Sequence, residues 1–579
     1  MAPLMIGATA CGGEGSSTSG FADMIGMGSP TPSPSPSPSQ TSDQADAAAA
    51  RFLLRASLFA SLSSISAVRS EGTEAWLDRH MRQPNDRTAG DFFSETGLDE
   101  ITADRIFLKD QATDRMIWDQ LLAGGNGVRK RIALALSEFF VVSANDLDIL
   151  WPAQAVGAYW DLLNEHAFGN YRDLLEAVTL SPAMGAFLDM LGNRREDPTT
   201  GRVADENFAR EIMQLFSIGL SELNLDGSLR TNMGQPIETY DNDDVAGLAM
   251  VFTGYDLDAS GLEFKADPGR PVDQIPSADI VRRPMTAVPS RWRFPESTSQ
   301  HSMSEKRFLG TSIPPGTGPE QSLKIALDRL FNHPNVGPFF GKQMIQRLVT
   351  SNPSPDYVRR VAETFNNNGR GVRGDLAAVF KAVLLDPEAQ SDVGLNDLRF
   401  GKLREPAIRF IQFARTFGLR TDRGVGVDRN LSDSSQYIGQ VPLRSPSVFN
   451  FFRPGFVQPN TYASTNKMVA PEFQIADETS VAGYLNFMER TIEGDAFWLN
   501  DLRPNYDDLI AIADDASKLV DRLDLILTAG QLRQATRDNI VAAIGDVSLV
   551  AGGSQDEKLR RVHIGIMLTM ASLDYLIQK

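Results

Sequence analysis

From Ala47 onward, apolar residues recur every three to four positions through one segment after another, a period that suits helices and not strands. The run 128–142 is apolar nearly all round its later turns, which predicts a central buried helix. Further helical periods cover 153–166, 171–178, 205–219, 243–252, 321–331, 341–349, 354–366, 375–385 and 404–417. The rest lie at 482–493, 508–527, 531–544 and 556–576. Gly, Pro, Asp and Asn interrupt the rhythm at 224–240, 256–318 and 421–470, where long loops with short strand pairs are expected. No repeat of solenoid length recurs. The expected fold is therefore mainly α: one large multi-helix domain over 47–579, with two long loop and short-strand insertions near 224–318 and 421–470.

The chain of 579 residues carries a formal net charge of -18, and no basic stripe relieves it, which argues against a nucleic-acid partner. Its single cysteine, Cys11, excludes an intrachain disulfide and sites that need several thiolates. No apolar run reaches the roughly 18–20 residues of a membrane-spanning helix.

Cys11 follows a short apolar patch and small residues, and glycines follow it. That order resembles the end of a bacterial lipoprotein signal, in which the cysteine is acylated and becomes the mature N-terminus. Residues 1–11 are read as the remnant of such a signal, although Ala8 stands where Leu is usual and no basic residue precedes the patch. Residues 12–46 read as a disordered Gly/Ser/Pro-rich spacer. Its alternating Ser-Pro run over 29–39 favours extended polyproline at about 3.1 Å per residue. Contact with a membrane is expected only through the lipid, with the chain exported and held at the periplasmic face or cell surface.

The segment 205–219 joins an acidic start to an apolar stripe. At 100° per residue Phe208, Ile212, Leu215 and Phe216 share one face. Asp205 suits the N-cap, and Glu206 and Arg210 form an outer i,i+4 pair. Glu211 falls at the edge of the stripe, with Asn207 one turn before it. A half-buried glutamate needs a partner or a raised pKa. It either accepts hydrogen bonds from a neighbouring arginine and clamps two helices, or it serves as a ligand or general acid–base. His166 ends one helix and His301 sits in an insertion. With Glu211 and Asn207 they make the candidate catalytic set, against the structural alternatives of a helix-capping His166 and a loop-bound His301. His80, His333 and His563 read as packing or turn residues. Residues 240–244 could gather oxygen ligands for calcium, but Asp241 or Asp243 as the cap of the next helix accounts for them better. Gly337–Gln343 mimics a phosphate loop, yet it is one residue short and lacks a hydroxyl after Lys342. The sequence names no cofactor and leaves the metal content unknown.

Several blocks are similar to one bacterial family: Arg131 to Ser143 (RIALALSEFFVVS), His166 to Gly185, Asp205 to Gly219 (DENFAREIMQLFSIG) and Phe252 to Tyr255. Gln346 to Tyr357, Asp386 to Ala389, Arg404-Glu405-Pro406, Ser445 to Phe452 (SPSVFNFF) and Ala470 to Phe473 continue it, as do His301 and Lys306 to Gly310. The chain resembles the domain-of-unknown-function 1800 family over about 47–578. Tyr255 stands where that family usually has tryptophan, and Ala204 where it has proline. The resemblance implies export. It also implies a partner, a neighbouring-gene protein of the domain-of-unknown-function 1501 family. It names no reaction. Two functions are expected on these grounds: a lipid-tethered binding or assembly partner on the cell envelope, or an envelope enzyme, such as a metal-dependent hydrolase, built around Glu211 and His166.

Overall fold

Side-chain caps start many of the helices where the apolar period begins. Ser61, Thr88, Asp241, Asp477 and Ser554 each close a capping box with the residue three positions on. A computed structural model of the chain describes residues 38–579, apart from 124, 146, 422–425, 428, 496–501 and 550–552. Within it, 26 α-helices stand against five two-stranded sheets, which makes the fold mainly α. Residues 43–579 form one compact unit. Cys11, the expected signal remnant and most of the expected spacer lie outside the described residues. The first helix, Pro38–Ala56, begins inside the span read as spacer. Its proline sits at the helix start, where no N–H is needed, and alanines follow.

An aromatic cluster occupies the centre of the unit. The helices Tyr171–Leu180, Val336–Leu348 and Pro355–Asn366 bring together Tyr171, Phe340 and Phe365, with ring centroids 5.0 Å and 5.3 Å from Tyr171. Phe140 and Phe216 join from two chain turns, 5.5 Å apart.

Three departures from the periodicity matter for the site. The central helix stops early, at Gly127–Ser137, and 139–142 continue as buried irregular chain. The Glu138 carbonyl is answered from outside by Arg347 Nη2 at 2.8 Å, so the end needs no further helical turn. The helix expected over 205–219 spans Asn207–Gln214, and Gly219, at φ 70°, turns the chain away. The period over 508–527 is broken into Asp507–Ile510 and Ala516–Leu523, because Asp515 caps the second piece through the Lys518 N–H.

The first insertion holds three hairpins, pairing 231–232 with 235–236, 264–267 with 270–276, and 306–308 with 311–313. The second forms no strand pair within itself among the described residues, contrary to expectation. Prolines at 442, 446, 454 and 459 remove ladder donors. Its Leu431, Val441, Leu443 and Phe452 are buried, so this loop is part of the core. The chain end, Ile577–Gln578, pairs antiparallel with Lys402–Leu403 and fixes Lys402 inside the unit.

Candidate functional site

The four residues singled out from the sequence occupy separate surroundings. Glu211 is 8% exposed, and its Oε2 meets no hydrogen-bond partner. The expected arginine clamp is not formed: Arg210, the neighbouring cation, reaches Glu206 at 2.9 Å one turn back. Burial therefore raises the Glu211 pKa, against a smaller pull from Arg210. Asn207 donates through Nδ2 to Asp189 Oδ2 at 2.9 Å, while its N–H is capped by Asp205 Oδ1 at 2.8 Å. His301 is fully buried: Nδ1 lies 2.9 Å from the Thr253 carbonyl and Nε2 3.4 Å from Ser322 Oγ. Burial, with Lys306 beside it, lowers its pKa to about 4, so it is a neutral histidine that ties its loop to the 250–253 turn. His166 ends the helix Pro152–His166 and lines a cavity of about 370 Å³ with Asp161, Glu165 and Arg282. Asp161 is already engaged there, accepting the Ala89 and Gly90 N–H groups at 2.8 Å and 3.0 Å. Neither the His166 cavity nor the larger cleft below is lined by a second of the four, and among the described residues no three His, Cys, Asp or Glu side chains are placed to hold a metal ion. Asp241 caps the helix Asn242–Ala249, as the weighing of residues 240–244 expects.

A larger site lies elsewhere. A cleft of about 920 Å³ opens between the ends of the helices Gly127–Ser137, Asn207–Gln214 and Val336–Leu348 and the loop near 448–457. Phe139, Phe339, Phe449 and Phe456 give it aromatic walls. Gly219 lets it form, since a Cβ there would stand 2.7 Å from the Phe339 ring. Lys342 and Arg453 also line it, and neither side chain forms a hydrogen bond or ion pair among the described residues. The Arg453 guanidinium stacks on Phe449 at 4.5 Å. Lys342, in the sequence that mimics a phosphate loop, sits in the middle of a continuous helix. Burial lowers its pKa, and the Asp226 charge acts the other way.

Behind Glu138 and Arg347 of the cleft wall lies a buried charge cluster that the sequence reading missed. Lys402 Nζ lies 3.0 Å from Glu472 Oε1 and 3.4 Å from Glu405 Oε1, all three buried. Gln440 Nε2 donates to Glu405 Oε2 at 2.8 Å. Arg131 Nη2 and Lys402 Nζ both donate to the Arg347 carbonyl, at 2.7 Å and 2.9 Å. Glu138, 6% exposed, lines the same small cavity as Glu405, and its Oε2 stands 3.7 Å from Arg347 Nε. Two carboxylates in contact cannot both ionise cheaply. Burial, and after it the Glu405 charge, push Glu138 well above the usual carboxylate range. Burial pushes Glu405 up too, but Lys402 and the Glu138 hydrogen bond outweigh it and hold Glu405 low. The two shifts run in opposite directions, so Glu138 is the member of the pair that keeps a proton more readily. Beside it is an enclosed cavity of about 10 Å³, the size of one water, where Ser445 Oγ and Asn450 Nδ2 are buried without partners.

The sequence did carry a signal. Arg131, Glu138, Arg347, Glu405, Glu472, Ser445 and Asn450 all fall inside the blocks that carry the family resemblance. The family profile described as "Protein of unknown function (DUF1800)" matches residues 51–577. The chain belongs to the DUF1800 family. This DUF1800 chain has no match among curated proteins or among solved structures. Family membership therefore accounts for the whole body of the DUF1800 chain and leaves its activity to be argued from the cleft.

Proposed function

We propose that the protein is a binding or assembly partner on the cell envelope that takes an extended polypeptide segment of its partner into the 920 Å³ cleft. The observation that carries this reading is the pattern of unmet groups along the cleft. Aromatic walls offer apolar contact. Gln214 Nε2, Gln343 Nε2 and Gln346 Oε1 have no partner among the described residues, although the opposite ends of the same amides are held by Tyr240, Arg347, Ser351 and Pro454. Amide groups of both polarities, spaced along a groove, suit the N–H and C=O groups of a peptide backbone. Export and a lipid on Cys11 belong to the same proposal and are supported by the sequence order of apolar patch, cysteine and spacer. One acyl chain holds a protein weakly and several hold it well. The first partner to test is the neighbouring-gene protein of the domain-of-unknown-function 1501 family.

Co-expression of the full chain with that protein tests both halves. The complex is expected in the membrane fraction. Cys11→Ser is expected to release the complex intact into the soluble fraction. Phe339→Asp is expected to break the complex while the chain stays with the membrane. A complex that survives Phe339→Asp contradicts the cleft as the docking site. A Cys11→Ser chain that still sediments with membranes contradicts the tether.

A hydrolase is a second reading, and one observation favours it: in the carboxyl pair of Glu138 and Glu405 the surroundings push one pKa up and hold the other low, the arrangement general acid–base chemistry uses. It ranks second because Glu405 is 1% exposed and tied to Lys402 and Gln440.

A further inference from the structure

The charges that line the cleft run against the charge of the molecule. The chain as a whole carries -18, yet the charged side chains on the cleft wall are Lys342, Arg347, Arg453 and Glu138. Glu138 is the one carboxylate among them, and burial beside Glu405 pushes its pKa above the usual carboxylate range. Three cations face a groove walled by phenylalanines, and neither Lys342 nor Arg453 is paired with a carboxylate at contact distance among the described residues. An ammonium that is half-buried, as that of Lys342 is, costs free energy until an opposite charge meets it, and Asp226 acts on it without forming an ion pair.

We infer that the segment bound in the cleft is acidic, its carboxylates meeting Lys342 and Arg453 and its apolar side chains packing on Phe339, Phe449 and Phe456. This rests on the peptide-binding reading above and names the chemistry of the partner. The overall acidity does not forbid it. Charges more than a Debye length away, about 8–10 Å in physiological salt, are largely screened, whereas the walls of a cleft act at contact distance. A long polyanion such as nucleic acid would lie along the acidic surface beyond the cleft and be repelled. A fatty acid would satisfy Lys342 but leave the free amide ends of Gln214, Gln343 and Gln346 unmet. A short acidic and aromatic peptide meets all three sets of groups.

The test is a binding titration of the full chain with two fluorescein-labelled pentapeptides of alternating apolar and charged residues. One is Phe-Glu-Leu-Asp-Phe and the other Phe-Lys-Leu-Lys-Phe, both N-acetylated and C-amidated. The acidic peptide is expected to bind at least about tenfold more tightly, and to weaken as salt is raised. Lys342→Glu is expected to abolish the preference, and Lys342→Arg to keep it. Lys342→Gln, which adds no repulsion, serves if the reversal perturbs the fold, and it is expected to reduce the preference. Equal binding of the two peptides overturns the inference, as does a preference that survives Lys342→Glu combined with Arg453→Glu. Binding of neither peptide overturns the peptide-binding reading itself.

Discussion

Glu138 and Glu211 are both buried glutamates whose Oε2 atoms accept no hydrogen bond, and the chain treats them differently. Glu138 has a second carboxyl to share its proton with, and three cations beside it. Glu211 has neither, so its raised pKa reflects burial almost alone. A carboxyl whose folded pKa lies above its unfolded value near 4.5 contributes stability in full below that value. The contribution is lost as pH rises through the folded pKa. Glu211→Gln, scanned by calorimetry, is therefore expected to match the parent near pH 4 and to exceed it at pH 8 by on the order of 1 kcal/mol. An equal difference at both pH values contradicts the account. The helical wheel located Glu211 at the edge of the apolar stripe from sequence alone. It could not supply the partner, because whether Arg210 turns toward Glu211 or back to Glu206 depends on packing that the spacing does not encode. The same limit hid the Glu138–Glu405 pair, whose members are 267 positions apart in the chain and meet only in the folded unit.

At the scale of elements, the apolar period located the helices well, and their ends poorly. The central helix reads as continuous to Val142, since Phe139 to Val142 keep the apolar pattern. It stops at Ser137 because Arg347, from a distant helix, takes the Glu138 carbonyl. Such a capping group is invisible to a local reading. Gly219 shows the converse, a local residue with a distant consequence. Its left-handed backbone ends the turn after Asn207–Gln214, and its missing side chain leaves room for the Phe339 ring on the cleft wall. Gly219→Ala is expected to cost about 1–3 kcal/mol from the backbone conformation alone. It is also expected to displace Phe339 and weaken binding of the acidic pentapeptide, measured by chemical denaturation and the same titration. A variant with native stability and undiminished binding contradicts the role assigned to this turn. The second insertion was expected to hold strand pairs. It instead packs Leu431, Val441, Leu443 and Phe452 into the core, so what composition marks as a loop is part of the cleft's frame.

For the whole molecule, composition and period sufficed for a mainly α body, and the resemblance blocks sufficed for the family. The site was legible only in part. The sequence reading looked for chemistry among histidines and the acidic helix start, the residue types most often catalytic. The structure gives those residues different partners and gathers the charged residues of the resemblance blocks behind the wall of one cleft. On this reading the cleft holds an acidic peptide segment of a partner. Hydrogen–deuterium exchange of the full chain, with and without the acidic pentapeptide at saturation, is the test. Slowed exchange is expected in residues 214–221, 339–347 and 448–457, and none around His166 or His301. Protection centred on the His166 cavity, or no protection along the cleft walls, would contradict it.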